Sequence, residues 1–214
     1  MSLSNLLPAA ALALSMLASA PAAAAIVVTG SGLAEFDSLE TFSSPSLAPN
    51  TIVTTQYAGL TFAGTNGGAV RANSCGYNGW GNSAVFSGDT LNTFGPNCAT
   101  NGTNDSFTLT FDSAVSAVSM GLYHYGSAGQ APVWSTWLNG AMIESVTLGT
   151  TFQSFLTFSG YAFDQIRYTE GSSVHYLAID NLARVEADVP EPATLSLLGL
   201  GVAGLVLRRR RKAA

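Results

Sequence analysis

Lysine is almost missing from this 214-residue chain: Lys212 is the only one. Between Ile26 and Val189 the only positive residues are Arg71, Arg167 and Arg184, against twelve acids, so that stretch carries a formal charge of −9. A surface that tracks phosphates needs clustered Lys and Arg, so nucleic acid is excluded as a partner. Histidine occurs twice, at His124 and His175, and neither has the spacing of a zinc site. No G-x-S-x-G string marks a nucleophile elbow, and no C-x-x-C occurs. At the C-terminal end, an uncharged run long enough to span a bilayer comfortably is missing too. The run there, 193–207, has fifteen residues. It would reach about 22 Å as a helix, short of the ~30 Å hydrocarbon core.

The two ends differ from the middle. Residues 3–25 are an apolar run followed by small residues, with A-x-A at Ala18–Ala20 and again at Ala23–Ala25. That layout is a secretory signal peptide with its cleavage site, implying the Sec export machinery and signal peptidase as partners. At the other end, Pro190-Glu191-Pro192 precedes the short apolar run, and Arg208, Arg209, Arg210, Arg211 and Lys212 follow it. The basic block holds its side of the helix in the cytoplasm. Two prolines around one residue keep the backbone extended, the form a processing enzyme admits. Gly199-x-Gly201-x-x-Gly204 matches a dinucleotide fingerprint as a string, but it lies inside the apolar run and follows no strand.

This order of elements resembles the PEP-CTERM sorting signal of Gram-negative bacteria. The resemblance implies that Pro190, Glu191 and Pro192 are read by an exosortase, a membrane-embedded cysteine transpeptidase. It implies that 193–207 crosses the inner membrane transiently, and that the protein ends at the cell surface or in the extracellular matrix. Three segments follow: a signal peptide at 1–25, a globular domain at 26–187 and a sorting signal at 188–214.

The middle alternates with the period of strands. Phe107, Leu109 and Phe111 fall on one face of SFTLTFD and Thr108 and Thr110 on the other. Val118–Leu122, Phe152–Phe158, Phe163–Thr169 and the pair VHYLAID and NLARV within Val174–Val185 read as further strands. Asn139-Gly140, Ser159-Gly160 and Glu170-Gly171 read as turns between them, Asn139-Gly140 as a hairpin. The expected fold is all-β, an antiparallel jelly-roll-like β-sandwich, flanked by the signal peptide and a single short transmembrane helix. Phe36-Asp37, Tyr57–Phe62, Thr110–Val118 and Ala178–Leu182 are similar to a jelly-roll domain recurrent in PEP-CTERM proteins, itself similar to carbohydrate-binding modules.

From Gly64 to Thr103 the alternation gives way to Gly, Asn and Ser around two short strands. Cys75 and Cys98 lie here. In an oxidising compartment they pair, closing a loop worth about 3 kcal/mol; a metal pair or a reactive thiol are the alternatives. Tyr77-Asn78-Gly79-Trp80-Gly81-Asn82 combines two amphipathic rings with amides. Tyr77, Asn78, Trp80 and Asn82 therefore form a candidate glycan-binding loop. Trp134, Trp137 and Tyr125 are further aromatic candidates, and opposite parity puts one of the two tryptophans in the core.

In similar jelly rolls the first and last strands lie side by side and a Ca²⁺ ion clamps them. That would gather Glu35, Asp37 and Asp180 as oxygen ligands. The alternative is solvated acids, with an Asp180-Asn181 turn that caps a strand by side-chain hydrogen bonds. No catalytic residue is assigned. The reading is a non-enzymatic cargo with a structural or glycan-binding role in exopolysaccharide or biofilm. The alternative is a secreted glycoside hydrolase or other hydrolase using two carboxylates among Glu35, Asp37, Asp89, Asp112, Glu144, Asp164 and Asp180.

Overall fold

The computed structural model describes residues 25–65, 68–73, 85–93, 106–126, 131–149, 151–170 and 175–187. Ten strands run through them and no helix is found among the described residues. Pairing is antiparallel throughout, in the order β4-β5-β10-β6-β9-β7-β8, with β1 on β9, β2 on β10 and β3 on β6.

Two long strands organise the molecule, β6 (Phe107–Gly126) and β9 (Thr151–Thr169). They pair with each other at both ends, but their register slips between Thr110 and Ala117. Before the slip β6 pairs with β3 (Leu60–Gly64); beyond it β6 pairs with β10 (His175–Glu186). Likewise β9 pairs early with β1 (Ala25–Thr29) and late with β7 (Val133–Leu138). One continuous sheet thus becomes two halves. The first is β2 (Ser38–Glu40) and β5 (Leu91–Asn92) on β10, then β6, β9 and β1; the second is β3, β6, β9, β7 and β8 (Ala141–Thr147). The short β4 (Arg71–Ala72) pairs with β5.

The halves close on each other across aromatic rings. Trp134 of β7 lies 6.2 Å from Phe158 of early β9, 5.0 Å from Tyr168 and 6.1 Å from Phe107. Trp134, Phe158 and Phe163 are wholly buried in the main core. The molecule is therefore the antiparallel β-sandwich that the alternation implied. Trp134 is the tryptophan that faces inward.

The strand boundaries differ from the sequence reading in a consistent way. Ser106–Asp112 and Val118–Leu122 belong to one strand, as do Phe152–Phe158 and Phe163–Thr169, and as do the two final runs. Ser159-Gly160 is not a turn between strands but lies within β9, with Gly160 at φ 94°. The cause is a change of parity without a reversal. Phe107, Leu109 and Phe111 point inward at odd positions, then Val118, Met120 and Leu122 at even ones. A bulge supplies that change, bending the strand while pairing continues. β10 repeats the device at Asn181, φ 48°, where the register shifts between Asp180 and Ala183.

Asn139-Gly140 is the expected hairpin turn, with φ 51° and 80°, joining β7 to β8. Positive φ at both central residues is what a two-residue turn between twisted strands requires. Within the described part of the Gly/Asn/Ser-rich stretch lie the two-residue strands β4 and β5.

Candidate functional site

A groove of about 340 Å³ lies on the outer face of the first sheet half. Its floor comes from Ser119 of β6, Phe155 of β9, and Asn181 and Ala183 of β10. Two loops wall it, and each is tied down by named bonds.

The first wall is the segment after β1. Gly32 sits so close to the floor that a Cβ there would meet Ser119 Oγ at 3.1 Å and the Phe155 ring at 3.2 Å. The Leu33 N–H donates to Ser119 Oγ at 2.9 Å. Asp37 then clips the segment to β10: its N–H donates to the Arg184 carbonyl at 2.9 Å, and its Oδ2 accepts the Glu186 N–H at 2.8 Å. This leaves the rings and chains of Phe36 (45% exposed) and Leu39 (47% exposed) at the rim.

The second wall is 85–89. Val85 and Phe86 pack on Phe155 and Ala178 as a small separate apolar cluster. Ser87 donates its N–H to Asp180 Oδ2 at 2.5 Å and its hydroxyl to Asn181 Oδ1 at 2.9 Å. Asn181 Nδ2 donates to the Val85 carbonyl at 2.8 Å, and the Asn181 N–H donates to Asp180 Oδ1 at 2.7 Å. Asp180 is fully buried by this loop. Burial pushes its carboxyl up to about 7; the two N–H donors oppose the rise, and the nearby Asp89 and Glu40 add to it.

These bonds decide the calcium expectation. Glu35, Asp37 and Asp180 are not brought together as a metal site. Asp37 engages β10 at Arg184 and Glu186, beyond the bulge, while Asp180 turns to Ser87 and Asn181. Among the described residues no three His, Cys, Asp or Glu side chains gather as ligands. Asp180 with Asn181 joins the 85–89 loop to β10 by side-chain hydrogen bonds, with Asp180 buried where the alternative expected a solvated acid.

Among the described residues no carboxylate lines the groove. Asp112 and Glu186 do share a smaller cavity, of about 130 Å³, but Arg184 lies there too and holds Glu186 at 3.1 Å. His124 is wholly buried, its ring 6.3 Å from that of Tyr168. Trp137 sits half-buried on the outer face of the second sheet half, under Arg167. Cys75 and Cys98, the Tyr77, Asn78, Trp80 and Asn82 loop, Pro190–Pro192, the run 193–207 and Arg208–Lys212 lie outside the described residues. So does the signal peptide, apart from Ala25, which opens β1. Sequence reasoning missed the groove. Phe36 was legible only as part of a family phrase, and nothing local marks Ser119 as the anchor of a loop 86 residues away.

Residues 188–211 match the PEP-CTERM protein-sorting motif. The chain carries a PEP-CTERM sorting segment. Such a segment marks an exported precursor processed by an exosortase. No curated protein matches the chain. Among solved structures it is similar to the enzymatically active domain of bacteriophage CBA120 tailspike protein 4, at 16% identity and TM-score 0.39, covering 64% of this chain and 21% of that one. It is also similar to a family 29 carbohydrate-binding module from Piromyces equi, at 9% identity and TM-score 0.37, covering 69% and 94%. A third is the CBM22-1 xylan-binding domain of Paenibacillus barcinonensis Xyn10C, at 14% identity and TM-score 0.37, covering 74% and 99%. The chain spans about a fifth of the tailspike chain. At these scores no residue of a neighbour maps onto a residue here, and the sandwich rests on its own strand register.

Proposed function

We propose that this protein is an exported precursor, cut by an exosortase at Pro190-Glu191-Pro192, whose β-sandwich holds glycan in the exopolysaccharide outside a Gram-negative cell. The match at 188–211 carries the sorting half of this reading. The domain spans 26–187, and the tail 193–207 with Arg208–Lys212 is a transient inner-membrane tether. The outer-face groove supports the glycan half: an exposed Phe36 ring for a sugar face, and Ser87, Ser119 and Asn181 beside it for hydroxyls. A groove without a charged lining suits a neutral sugar. The role in this reading is binding; hydrolysis would call for two carboxylates across the sugar site, and none of the described lining residues is one.

Expression of Glu191→Ala beside the exosortase tests the sorting half. The variant is expected to keep its C-terminal tail; normal trimming makes the segment a plain anchor. Binding of neutral exopolysaccharide by the full chain tests the other half. Phe36→Ala is expected to weaken it about ten-fold, the value of one stacked ring; unchanged binding removes the groove from the reading.

A further inference from the structure

The second sheet half presents a different chemistry on its outer face. Register places Thr110, Gln165 and Trp137 directly across from one another on β6, β9 and β7, and Thr108, Arg167 and Ser135 in the next row. Their neighbours Phe107, Leu109, Ile166 and Tyr168 are buried, so these rows are the outward side of the sheet. Each row covers two inter-strand spacings, about 10 Å.

Arg167 lies at the centre and is held in one pose. Its Cζ sits 3.6 Å from the centroid of the Trp137 ring. Its Nε–H donates to Gln165 Oε1 at 2.6 Å, and Gln165 Nε2 in turn donates to Thr110 Oγ1 at 3.1 Å. The Trp137 ring is fixed as well, its Nε1–H donating to Ser135 Oγ at 2.9 Å. No acid of the described residues answers the Arg167 charge. Asp164, three residues before it, accepts the Asn139 N–H, and Glu144 accepts the Tyr161 hydroxyl. The other two arginines of the domain are engaged, Arg71 on the Asn50 carbonyl and Arg184 on Glu186. A chain so short of positive charge keeps one guanidinium over an indole, and among the described residues only its Nε–H has a hydrogen-bond partner.

A guanidinium fork pairs with a carboxylate through two parallel bonds, and its stack on tryptophan keeps the plane in place. We propose that this face binds a carboxylate-bearing polysaccharide, with Arg167 taking the sugar carboxylate and the part-exposed Thr108 and Thr110 hydroxyls beside it taking ring hydroxyls. The domain is otherwise strongly acidic, so general charge attraction does not draw a polyanion to it. The contact is local to Arg167. It does not depend on the groove, which lies on the other sheet half.

The test uses the full-length chain in detergent micelles with two probes, polyguluronate and the same polymer with its carboxyls reduced. Polyguluronate is expected to bind at least ten-fold more tightly, the order of one charge-assisted pair. Arg167→Gln is expected to remove that preference. Arg167→Lys is expected to recover part of it, since the charge returns without the planar fork. Phe36→Ala is expected to leave it intact, which separates this face from the groove. Failure to bind polyguluronate, equal affinity for both polymers, or loss of the preference in Phe36→Ala overturns the proposal. So does a preference that survives Arg167→Gln, which would assign the contact to Arg208–Arg211.

Discussion

Asp180 is a buried acid that ties a loop to a strand. Its two oxygens accept N–H groups from Ser87 and Asn181, and so join the 85–89 loop to β10. Its carboxyl titrates near 7 in the folded protein against 3.8 for the unperturbed group. The folded state therefore holds a proton that the unfolded chain has released. Below about pH 4 both states are protonated and the contribution is fully present; stability falls as pH rises from there through about 7. Asp180→Asn carries no proton to lose. Urea midpoints at pH 5 and pH 8 are expected to fall further in the natural protein than in the variant. Parallel shifts in the two would show that Asp180 is ionised throughout. The sequence exposed Asp180-Asn181 as a turn-like pair but not its burial, because the covering loop comes from 93 residues earlier. Trp134 against Trp137 was legible, since opposite parity on one strand allows only one to face the core.

At the scale of elements, what decides this fold is where strands bend. The β7–β8 hairpin was visible because Asn-Gly meets the turn's demand for two positive φ values within two residues. The bulges in β6, β9 and β10 were not. A parity flip in the hydrophobic pattern looks the same whether the chain turns back or bends and continues. Ser159-Gly160 was misread for that reason: a positive-φ glycine serves a bulge as well as a turn. The hairpin offers a clean check. A Cβ at Gly140 would meet nothing within 4 Å, so Gly140→Ala adds only backbone strain at φ 80°. The cost is expected to be about 1 kcal/mol by denaturant unfolding. An unchanged midpoint would mean that the turn does not hold this conformation in solution.

The whole molecule divides its labour between the ends and the middle. Address was the most legible property, because membrane passage depends on runs of apolar and basic residues that are contiguous in sequence. The groove and the Arg167 face were not legible, because each is assembled across strands far apart in the chain. Phe36, Ser119 and Asn181 meet over 145 residues, and Thr110, Trp137 and Arg167 over 57.

The sorting segment is the claim from which location follows. Intact mass of the protein recovered from outside cells that carry an exosortase addresses it directly. The mass is expected to correspond to a chain that has lost the N-terminal signal and everything after Pro192. A full-length mass, recovered from the cytoplasm with Met1 and Arg208–Arg211 still attached, would contradict it.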